Sequence, residues 1–350
     1  MNNFPLTPST VVTSLAPIRI CDLGGWTDTW FAGTGAVLNI AVYPFAEVQI
    51  QVFSHAPDCS PRITIHTENF GERYDIDPRH IIYDRHPLLE AAIDMAGIPD
   101  HTSLGVTLYS EAPAGCSTGT SAAVTVALLG ALNHVCGKLY SPYDTAMQAQ
   151  RVETEKLGLQ AGIQDQIASS FGGISFISMH AYPHASVSQL LLPDQVWWEL
   201  ERRLVLIYLG SSHSSSDVHR KVIDELEFEG PSSPRLETLR CAAVDGKNAL
   251  LAGDFTAFGE AMVRNTEAQA ALHPDIVSPE ARQVIALADQ FGAYGWKING
   301  AGGGGGSITI LCDQNSHTKR EMICTIQAAN PLFKYIPTYL ARRGLRVWHS

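Results

Sequence analysis

The chain has 350 residues, of which 45% are hydrophobic and 17% charged, with a formal net charge of −11. This composition is typical of a globular protein and excludes a disordered chain. The acidic balance argues against nucleic-acid or anionic-membrane binding, which requires a basic face, and we expect neither partner.

The first half of the chain alternates strand-like and helix-like segments. Runs of β-branched and aromatic residues predict strands at residues 37–53, 62–66, 103–111 and 174–178. Periodic apolar positions predict helices at residues 88–95, 120–136, 143–157 and 162–171. The helix at 120–136 is apolar nearly all round, so we expect it to be buried.

The second half is richer in helical patterns. Strands are predicted at residues 204–209 and 345–348, with a strand, a glycine turn and a strand across 296–311. Helices are predicted at residues 218–227, 235–251, 255–269, 279–291 and 318–329. The segment 180–198 has the weakest pattern and is the best candidate boundary. At this length the chain can form two core-bearing lobes, residues 1–190 and 191–350, or one elaborate domain.

Cysteine usage and the first residues bear on the compartment. The 7 cysteines are scattered and form no C-x-x-C pair, which is typical of a reducing compartment. Residues 1–10 lack the features of a signal peptide, and the longest apolar run is too short to span a bilayer. The sequence predicts a cytoplasmic protein and leaves a homodimer open.

Residues 113–123 read P-A-G-C-S-T-G-T-S-A-A between a predicted strand and the buried helix. Small residues and hydroxyls at a helix N-terminus are what an anion site needs, because free N–H groups and the helix dipole point at one place. The segment also spells G-x-S-x-G, the nucleophile elbow of serine hydrolases, with Ser117 as nucleophile. Asp165 and a histidine, His213 or His273, could complete such a triad.

The hydrolase interpretation fits the surrounding sequence poorly. Pro113 and Ala114 separate the strand from the motif, and hydroxyl residues continue past Gly119. An elbow instead needs a tight junction between strand and helix, and no oxyanion loop precedes this one. The phosphate cradle is favoured.

A run of glycines follows Lys297 in the sequence K-I-N-G-A-G-G-G-G-G-S. Gly300, Gly302 and Gly305 match G-x-G-x-x-G, but a strand-like segment follows where a dinucleotide fingerprint opens a helix. The phosphate-loop segment has no lysine, so it is no Walker A motif either. Ordering consecutive glycines costs chain entropy, which favours a close approach to a ligand or to another backbone.

Three further polar features keep two interpretations each. Residues 16–29 read A-P-I-R-I-C-D-L-G-G-W-T-D-T. They are either an ordinary surface turn or a segment that binds a polyol through Arg19 and Asp28. Asp165 begins a helix, where the dipole favours any carboxylate, so a catalytic role and an ordinary one are equally open. Glu153 lies three positions before Lys156, the spacing of a surface ion pair.

In this order the segments resemble the motifs of the GHMP kinase superfamily. Motif one resembles A-P-I-R-I-C-D-L-G-G-W-T-D, motif two the segment 113–123, and motif three K-I-N-G-A-G-G-G-G. The resemblance covers most of the chain, from residue 16 to about residue 311. G-G-W-T-D and G-I-Q-D-Q are most similar to the sugar-1-kinase branch, which contains heptose 7-phosphate kinases and fucokinases.

The resemblance implies a two-lobed α/β fold with ATP and a sugar between the lobes. Asp165 would face the anomeric hydroxyl as base or aligner, and Arg19 would keep it ionised and stabilise the transferring phosphoryl group. Sugar contacts are implied for Asp28, Gly24, Gly25, Trp26, Thr27 and His213, with Gly302 and Gly303 in the pocket floor. ATP contacts are implied for Pro113, Ala114, Gly115, Cys116, Ser117, Thr118, Gly119, Thr120 and Ser121. Mg²⁺ ligands would be Glu153 and either Thr120 or Ser121.

Two departures from the family pattern refine the expected substrate. Ser117 and Thr118 stand where motif two usually has Gly-Leu, and His213 stands where heptose 7-phosphate kinases carry a basic residue. Histidine is a weaker phosphate ligand at neutral pH. We predict an ATP- and Mg²⁺-dependent kinase of the C1 hydroxyl of a free monosaccharide. The alternatives are a heptose 7-phosphate 1-kinase, a serine hydrolase using Ser117 and a non-catalytic binding protein.

Overall fold

The computed structural model describes residues 10–54, 62–100, 102–210, 215–303 and 305–350. The strands are β1 (Thr10–Leu23), β2 (Gly35–Ser54), β3 (Ile63–Thr67), β4 (Glu72–Ile76), β5 (Thr102–Ser110), β6 (Ile174–Ala181), β7 (His184–Gln189), β8 (Leu204–Tyr208), β9 (Gly295–Ile298), β10 (Ser307–Leu311), β11 (Lys334–Ile336), β12 (Tyr339–Leu340) and β13 (Arg346–His349).

The α-helices are α1 (Pro87–Ala96), α2 (Thr120–Val135), α3 (Pro142–Arg151), α4 (Gln164–Phe171), α5 (Asp194–Arg203), α6 (Ser215–Glu229), α7 (Pro234–Ala252), α8 (Phe255–Leu272), α9 (Pro279–Gln290) and α10 (Ser316–Ala329). A π-helical turn, Val152–Lys156, extends α3. The predicted α/β class is confirmed.

The described strands form a sheet of 9 strands and a sheet of 4. In the first sheet the order is β13-β1-β2-β5-β3-β4, and the long strand β2 also pairs with β6 and β12. β3 and β5 are parallel, whereas β1, β2 and β5 are antiparallel. The second sheet is antiparallel in the order β11-β8-β10-β9.

The two sheets share a hydrophobic core. One cluster of buried side chains contains Ile18 and Leu38 of the first sheet, Leu206 of the second, and Phe258 of α8. The helix α2 is buried as predicted and packs on β1 and β2. Because α7 packs on β2 while α8 packs on β9, this helix pair bridges the sheets.

The segment 180–198 differs from its prediction as an unstructured connection. It contains β7, which forms a hairpin with β6, and the beginning of α5. The pattern of β7 is weak because most of its side chains are exposed. In α5, by contrast, Trp197 and Leu200 are buried in the shared core.

The lobe boundary at residue 190 stays a prediction. β11 pairs within the second sheet, whereas β12 and β13 return to β2 and β1 of the first. The last residues of the proposed second lobe therefore pack on the first sheet. None of the described helices is long and apolar enough to cross a membrane.

Candidate active site

A cavity of about 200 Å³ brings the predicted polar segments together. A space of this size holds several water molecules or a small polyol. Its walls include Arg19, Asp22, Trp26, Asp28, Ser121, Glu153, Gln164, Asp165, Gln166 and Gly300. β1, the first turns of α2 and α4, the π-helical turn and the glycine turn after β9 all contribute to it.

Arg19 and Asp165 form a two-pronged ion pair in the cavity wall. Arg19 Nε donates to Asp165 Oδ1 at 2.8 Å, and Nη2 donates to Oδ2 at 3.2 Å. Burial works to lower the pKa of Arg19, but Asp165 and Asp22 outweigh it and raise the pKa, so the guanidinium stays charged. The Asp165 side chain keeps 28% exposure and can reach a ligand in the cavity.

Asp28 approaches the N-terminus of α4. Its Oδ2 accepts the N–H groups of Ile163 and Gln164 at 2.9 and 3.0 Å. The approach requires glycine at position 162, because a methyl group there would lie 2.3 Å from Asp28 Oδ2. Burial raises the pKa of Asp28 to about 6, and the charge of Asp165 adds to the rise.

Glu153 faces the cavity from the π-helical turn. Gln166 Nε2 donates to Glu153 Oε1 at 2.7 Å. Burial raises the pKa of Glu153 to about 7, against the opposing effect of the Gln166 hydrogen bond. The surface pair with Lys156 is not formed: Lys156 Nζ instead contacts Asp94 Oδ2 at 2.6 Å.

The loop 113–121 folds against Arg19. The Ser117 carbonyl accepts Arg19 Nη1 at 2.5 Å, and the Thr118 carbonyl accepts the Arg19 N–H at 2.9 Å. The Cys116 carbonyl accepts Ser307 Oγ at 2.6 Å from β10. Pro113 and Ala114 lie at the loop's outer end, where Cys116 N–H and Tyr208 OH donate to their carbonyls.

The same loop leads into the N-terminus of α2. Gly115 and Gly119 adopt φ of +74° and +69°, and Gly119 is the N-cap residue of α2. Gly119 has no side chain that could cap this helix, so the first N–H groups are available to an anion. Ser121 lines the cavity, whereas Thr120 Oγ1 lies 3.3 Å from Thr118 Oγ1, whose residue is fully buried.

Residues 24–28 form a turn, of which Trp26 and Asp28 line the cavity. Trp26 lines it, with a strained backbone at φ +78°. Thr27 is fully buried and its Oγ1 bonds the Gly24 carbonyl at 2.7 Å. A methyl group at Gly24 would lie 2.0 Å from the Ala36 carbonyl oxygen, and one at Gly25 3.0 Å from Asp22 Oδ2. These three residues shape the turn that presents Trp26 and Asp28.

The glycine run meets the cavity at its first residue, Gly300. Gly300 lines the cavity, whereas Gly303 N–H donates to the Ile276 carbonyl at 2.9 Å. A methyl group at Gly302 would lie 2.4 Å from that same carbonyl oxygen. Gly302 and Gly303 thus contact backbone instead of the cavity. The predicted sugar contact at His213 lies outside the described residues.

Two family models match the chain. The GHMP kinases N terminal domain matches residues 87–173, and the GHMP kinases C terminal domain matches residues 247–325. These ranges contain motif two with Asp165 and motif three. The chain belongs to the GHMP kinase family. Members of this family use ATP as a co-substrate and transfer its phosphoryl group to an alcohol.

Curated relatives and a solved structure agree with this assignment. An L-fucokinase/L-fucose-1-P guanylyltransferase of Bacteroides fragilis is 24% identical over 97% of this chain. The chain spans 39% of that relative's length. A D-glycero-alpha-D-manno-heptose 7-phosphate kinase of Campylobacter jejuni is 25% identical over 84% of this chain and 87% of its own. A heptose 1-phosphate kinase structure from Bacteroides thetaiotaomicron, 23% identical, superposes with a TM-score of 0.73 over 96% of this chain and 98% of its own.

The serine hydrolase alternative has no support in this GHMP kinase. The Ser117 side chain points at the glycine run, since a methyl group at Gly306 would lie 2.9 Å from Ser117 Oγ. Asp165 is held by Arg19, and the His273 ring accepts the Asp275 N–H at 3.3 Å. Within the described residues, no histidine hydrogen-bonds Ser117.

Sequence reasoning missed several polar residues at the cavity. Asp22 pairs with Lys297, and the buried side chains of Gln164 and Gln166 line the cavity. The available signal was charge inside two strand-like segments, Asp22 in β1 and Lys297 in β9, since an unpaired buried charge is costly. The sequence thus identifies the charged residues but does not show which of them contact each other.

Proposed function

We propose that this GHMP kinase transfers the γ-phosphoryl group of ATP to the anomeric C1 hydroxyl of a free monosaccharide. The observation that carries the proposal is the Arg19–Asp165 ion pair in the wall of a polyol-sized cavity. The uncapped N-terminus of α2 opens beside that cavity, through Ser121 in its first turn. A phosphate cradle and an acceptor site are thus adjacent.

Asp165 would align the acceptor hydroxyl for in-line attack. Arg19 binds one side of the carboxylate through two N–H groups, and the remaining lone pairs can accept the hydroxyl proton. Phosphoryl transfer requires mainly positioning and charge stabilisation, and the positive Arg19 group supplies both near the reaction centre.

The charges and amides of the cavity favour an unphosphorylated sugar. Among the described residues, its lining carries the carboxyl groups of Asp22, Asp28, Glu153 and Asp165 and one cation, Arg19, which is already paired with Asp165. A second phosphate on the acceptor would therefore face carboxyl groups and find no unpaired cation among these residues. The buried Oε1 atoms of Gln164 and Gln166 have no hydrogen-bond partner among the described residues, so they can accept sugar hydroxyls.

The donor set of the cavity fits Mg²⁺. Glu153 and Ser121 supply oxygen ligands, and Mg²⁺ is commonly held by one or two carboxylates together with substrate phosphates. When bound, the ion would neutralise charge on the β- and γ-phosphates. Ser121 is the better candidate than Thr120, since only Ser121 lines the cavity.

The names of the relatives indicate two classes of substrate. A fucokinase acts on a free sugar, whereas the heptose 7-phosphate kinase acts on a phosphorylated one, as their names state. The lack of a second cation among the described lining residues favours the first class for this chain. The second class is the alternative, because residue 213 lies outside the described residues.

The test is release of ADP from ATP with Mg²⁺ across hexoses, deoxyhexoses, uronic acids and heptose phosphates. We expect turnover with an unphosphorylated sugar, and a product that no longer reduces copper reagents because C1 is blocked. Turnover with heptose phosphates alone would establish the alternative. A product that keeps its reducing end would overturn C1 as the position.

Asp165→Asn provides the first prediction on the mechanism. Loss of the carboxylate should lower kcat by about 10²–10⁴-fold, because the acceptor proton loses its acceptor. The matched control is Asp245→Asn, which breaks an exposed ion pair with Arg264 (2.8 Å) away from the cavity. Equal kcat values in the two variants would remove Asp165 from the mechanism.

A further inference from the structure

A buried ion pair joins the two sheets behind the cavity. Lys297 of β9 and Asp22 of β1 are both fully buried, and Lys297 Nζ lies 3.2 Å from Asp22 Oδ1. Asp22 lines the cavity and Lys297 does not. The proposed role of Arg19 and Asp165 makes no use of this pair.

Asp22 also contacts two parts of the reaction site. Both of its carboxylate oxygens accept the Gly300 N–H at 3.1 Å, which fixes the beginning of the glycine turn. Its Oδ1 lies 4.0 Å from Arg19 Nη1. Charges therefore alternate in sign from the core to the cavity, in the order Lys297, Asp22, Arg19, Asp165.

Stability alone does not account for the pair. Burying two charges costs desolvation energy that their attraction barely repays, and apolar residues of similar volume commonly serve equally well. Burial works to raise the pKa of Asp22, yet Lys297 and Arg19 lower it, so Asp22 is a carboxylate beside Arg19. Without Lys297, that carboxylate would offset part of the field of Arg19 in the cavity.

We propose that Asp22 and Lys297 are positioning residues for phosphoryl transfer. Asp22 holds Arg19 and the Gly300 turn in register, and Lys297 balances Asp22 so that the charge of Arg19 acts on the transferring group. This inference rests on the proposed function of Arg19. We expect the effect in the transition state, since Lys297 does not line the cavity and both carboxylate oxygens of Asp22 already accept the Gly300 N–H.

The decisive variant is the double substitution Asp22→Asn with Lys297→Met, which removes both charges and leaves no lone buried ion. We expect its Tm, and the rise in Tm on adding ATP with Mg²⁺, to stay close to those of the unmodified chain. Its kcat should fall about 10–100-fold, the range for partners that orient a functional group, at a nearly constant sugar KM. Lys297→Met alone should lose both Tm and kcat, because Asp22 is left unpaired.

Lys319→Met is the matched control. Lys319 is a partly buried lysine, whereas Lys297 is fully buried, and Lys319 Nζ donates to the Arg202 and Leu204 carbonyls at 2.6 and 2.9 Å, away from the cavity. Its removal should change Tm and leave kcat unaltered.

Three results would overturn the positioning role. The first is a double variant whose kcat, like its Tm, equals that of the unmodified chain. The second is a double variant in which only the sugar KM changes. The third is a double variant that does not fold. The proposed function is judged separately, on the acceptor that the unmodified chain uses. If that acceptor is an alcohol other than a sugar, the sugar assignment fails, and the same kcat comparison still decides the role of the pair.

Discussion

Ser117 holds its backbone at φ +57°, in the left-handed region that disfavours side chains. This strain destabilises the fold by about 1–2 kcal/mol, and a glycine would relieve it. Glycine also raises the conformational entropy of the unfolded chain, which offsets about 0.5–1 kcal/mol of the relief. Ser117→Gly should therefore raise the free energy of unfolding slightly, by up to about 1.5 kcal/mol, with kcat retained. Urea denaturation and steady-state kinetics measure the two effects.

Ser188→Gly is the control for that prediction. Ser188 is exposed in the extended strand β7, where glycine adds entropy to the unfolded state and relieves no strain. This variant should be destabilised. If Ser117→Gly lost stability to the same degree, the strain would be absent, and loss of all activity would return Ser117 to the role of a nucleophile.

Asp28 combines a sugar-binding prediction with a cost in stability. Its pKa of about 6 in the fold exceeds the ordinary 3.8, so its contribution to stability is present below pH 4 and is lost as the pH rises through 6. The difference corresponds to about 3 kcal/mol at neutral pH. Asp28→Asn should therefore gain stability over the unmodified chain between pH 4 and pH 7, while the sugar KM rises at least about tenfold.

Unfolding in urea at several pH values gives the measurement for Asp28. Asp144→Asn supplies a control of opposite sign: the Ser141 hydroxyl and N–H lower the pKa of Asp144, so its contribution is lost as the pH falls. Parallel stability curves for Asp28→Asn and the unmodified chain would contradict the shift.

At the scale of elements, Gly162 sets how closely α4 approaches β1 and its following turn. A methyl group would lie 2.3 Å from Asp28 Oδ2, so Gly162→Ala should push the beginning of α4 away from Asp28. Because Asp165 lies in that first turn, we expect a lower kcat and a sugar KM raised about tenfold, with ATP binding retained. Isothermal titration with ATP separates the two effects.

Gly105→Ala is the control for Gly162→Ala. Gly105 lies in β5 with its nearest neighbour at 3.5 Å, so a methyl group fits there. It should leave kcat and both KM values unchanged. Normal sugar kinetics in Gly162→Ala would show that the contact with Asp28 yields easily and does not position α4.

Elements with a strong periodic pattern were predictable, and those formed by tertiary contacts were not. The apolar helix α2 and the helix α1, which ends at Gly97, agree with their predictions closely. The turn Val152–Lys156 reads VETEK, in which the two glutamates and the lysine favour an α-helix, yet it is π-helical. Its widened form brings Glu153 to Gln166, a contact 13 residues away that no local pattern encodes.

At the scale of the whole molecule, the motifs predicted which residues meet but not how. Arg19, Asp28, Glu153 and Asp165 all reach the cavity, as the resemblance to GHMP kinases implied. Thr27 and Gly302 lie in the same motifs and support the backbone instead. The facing of a side chain depends on strand register and turn geometry, which a one-dimensional motif does not specify.

The shared core predicts that both sheets unfold together. Residues of β1, β8 and α8 belong to one buried cluster, and Val12 to Leu15 of β1 pair with β13 from the far end of the chain. Deleting residues 345–350 should therefore lower Tm and speed amide exchange in β10 as well as in β1.

Ile310→Ala is the reciprocal test, because it opens a cavity beneath the second sheet and should lower the free energy of unfolding by about 2–5 kcal/mol. Exchange followed by mass spectrometry in graded urea reads both sheets at once. Coupled sheets give one transition in either variant, whereas a boundary of independent lobes at residue 190 gives two, with each change confined to its own sheet.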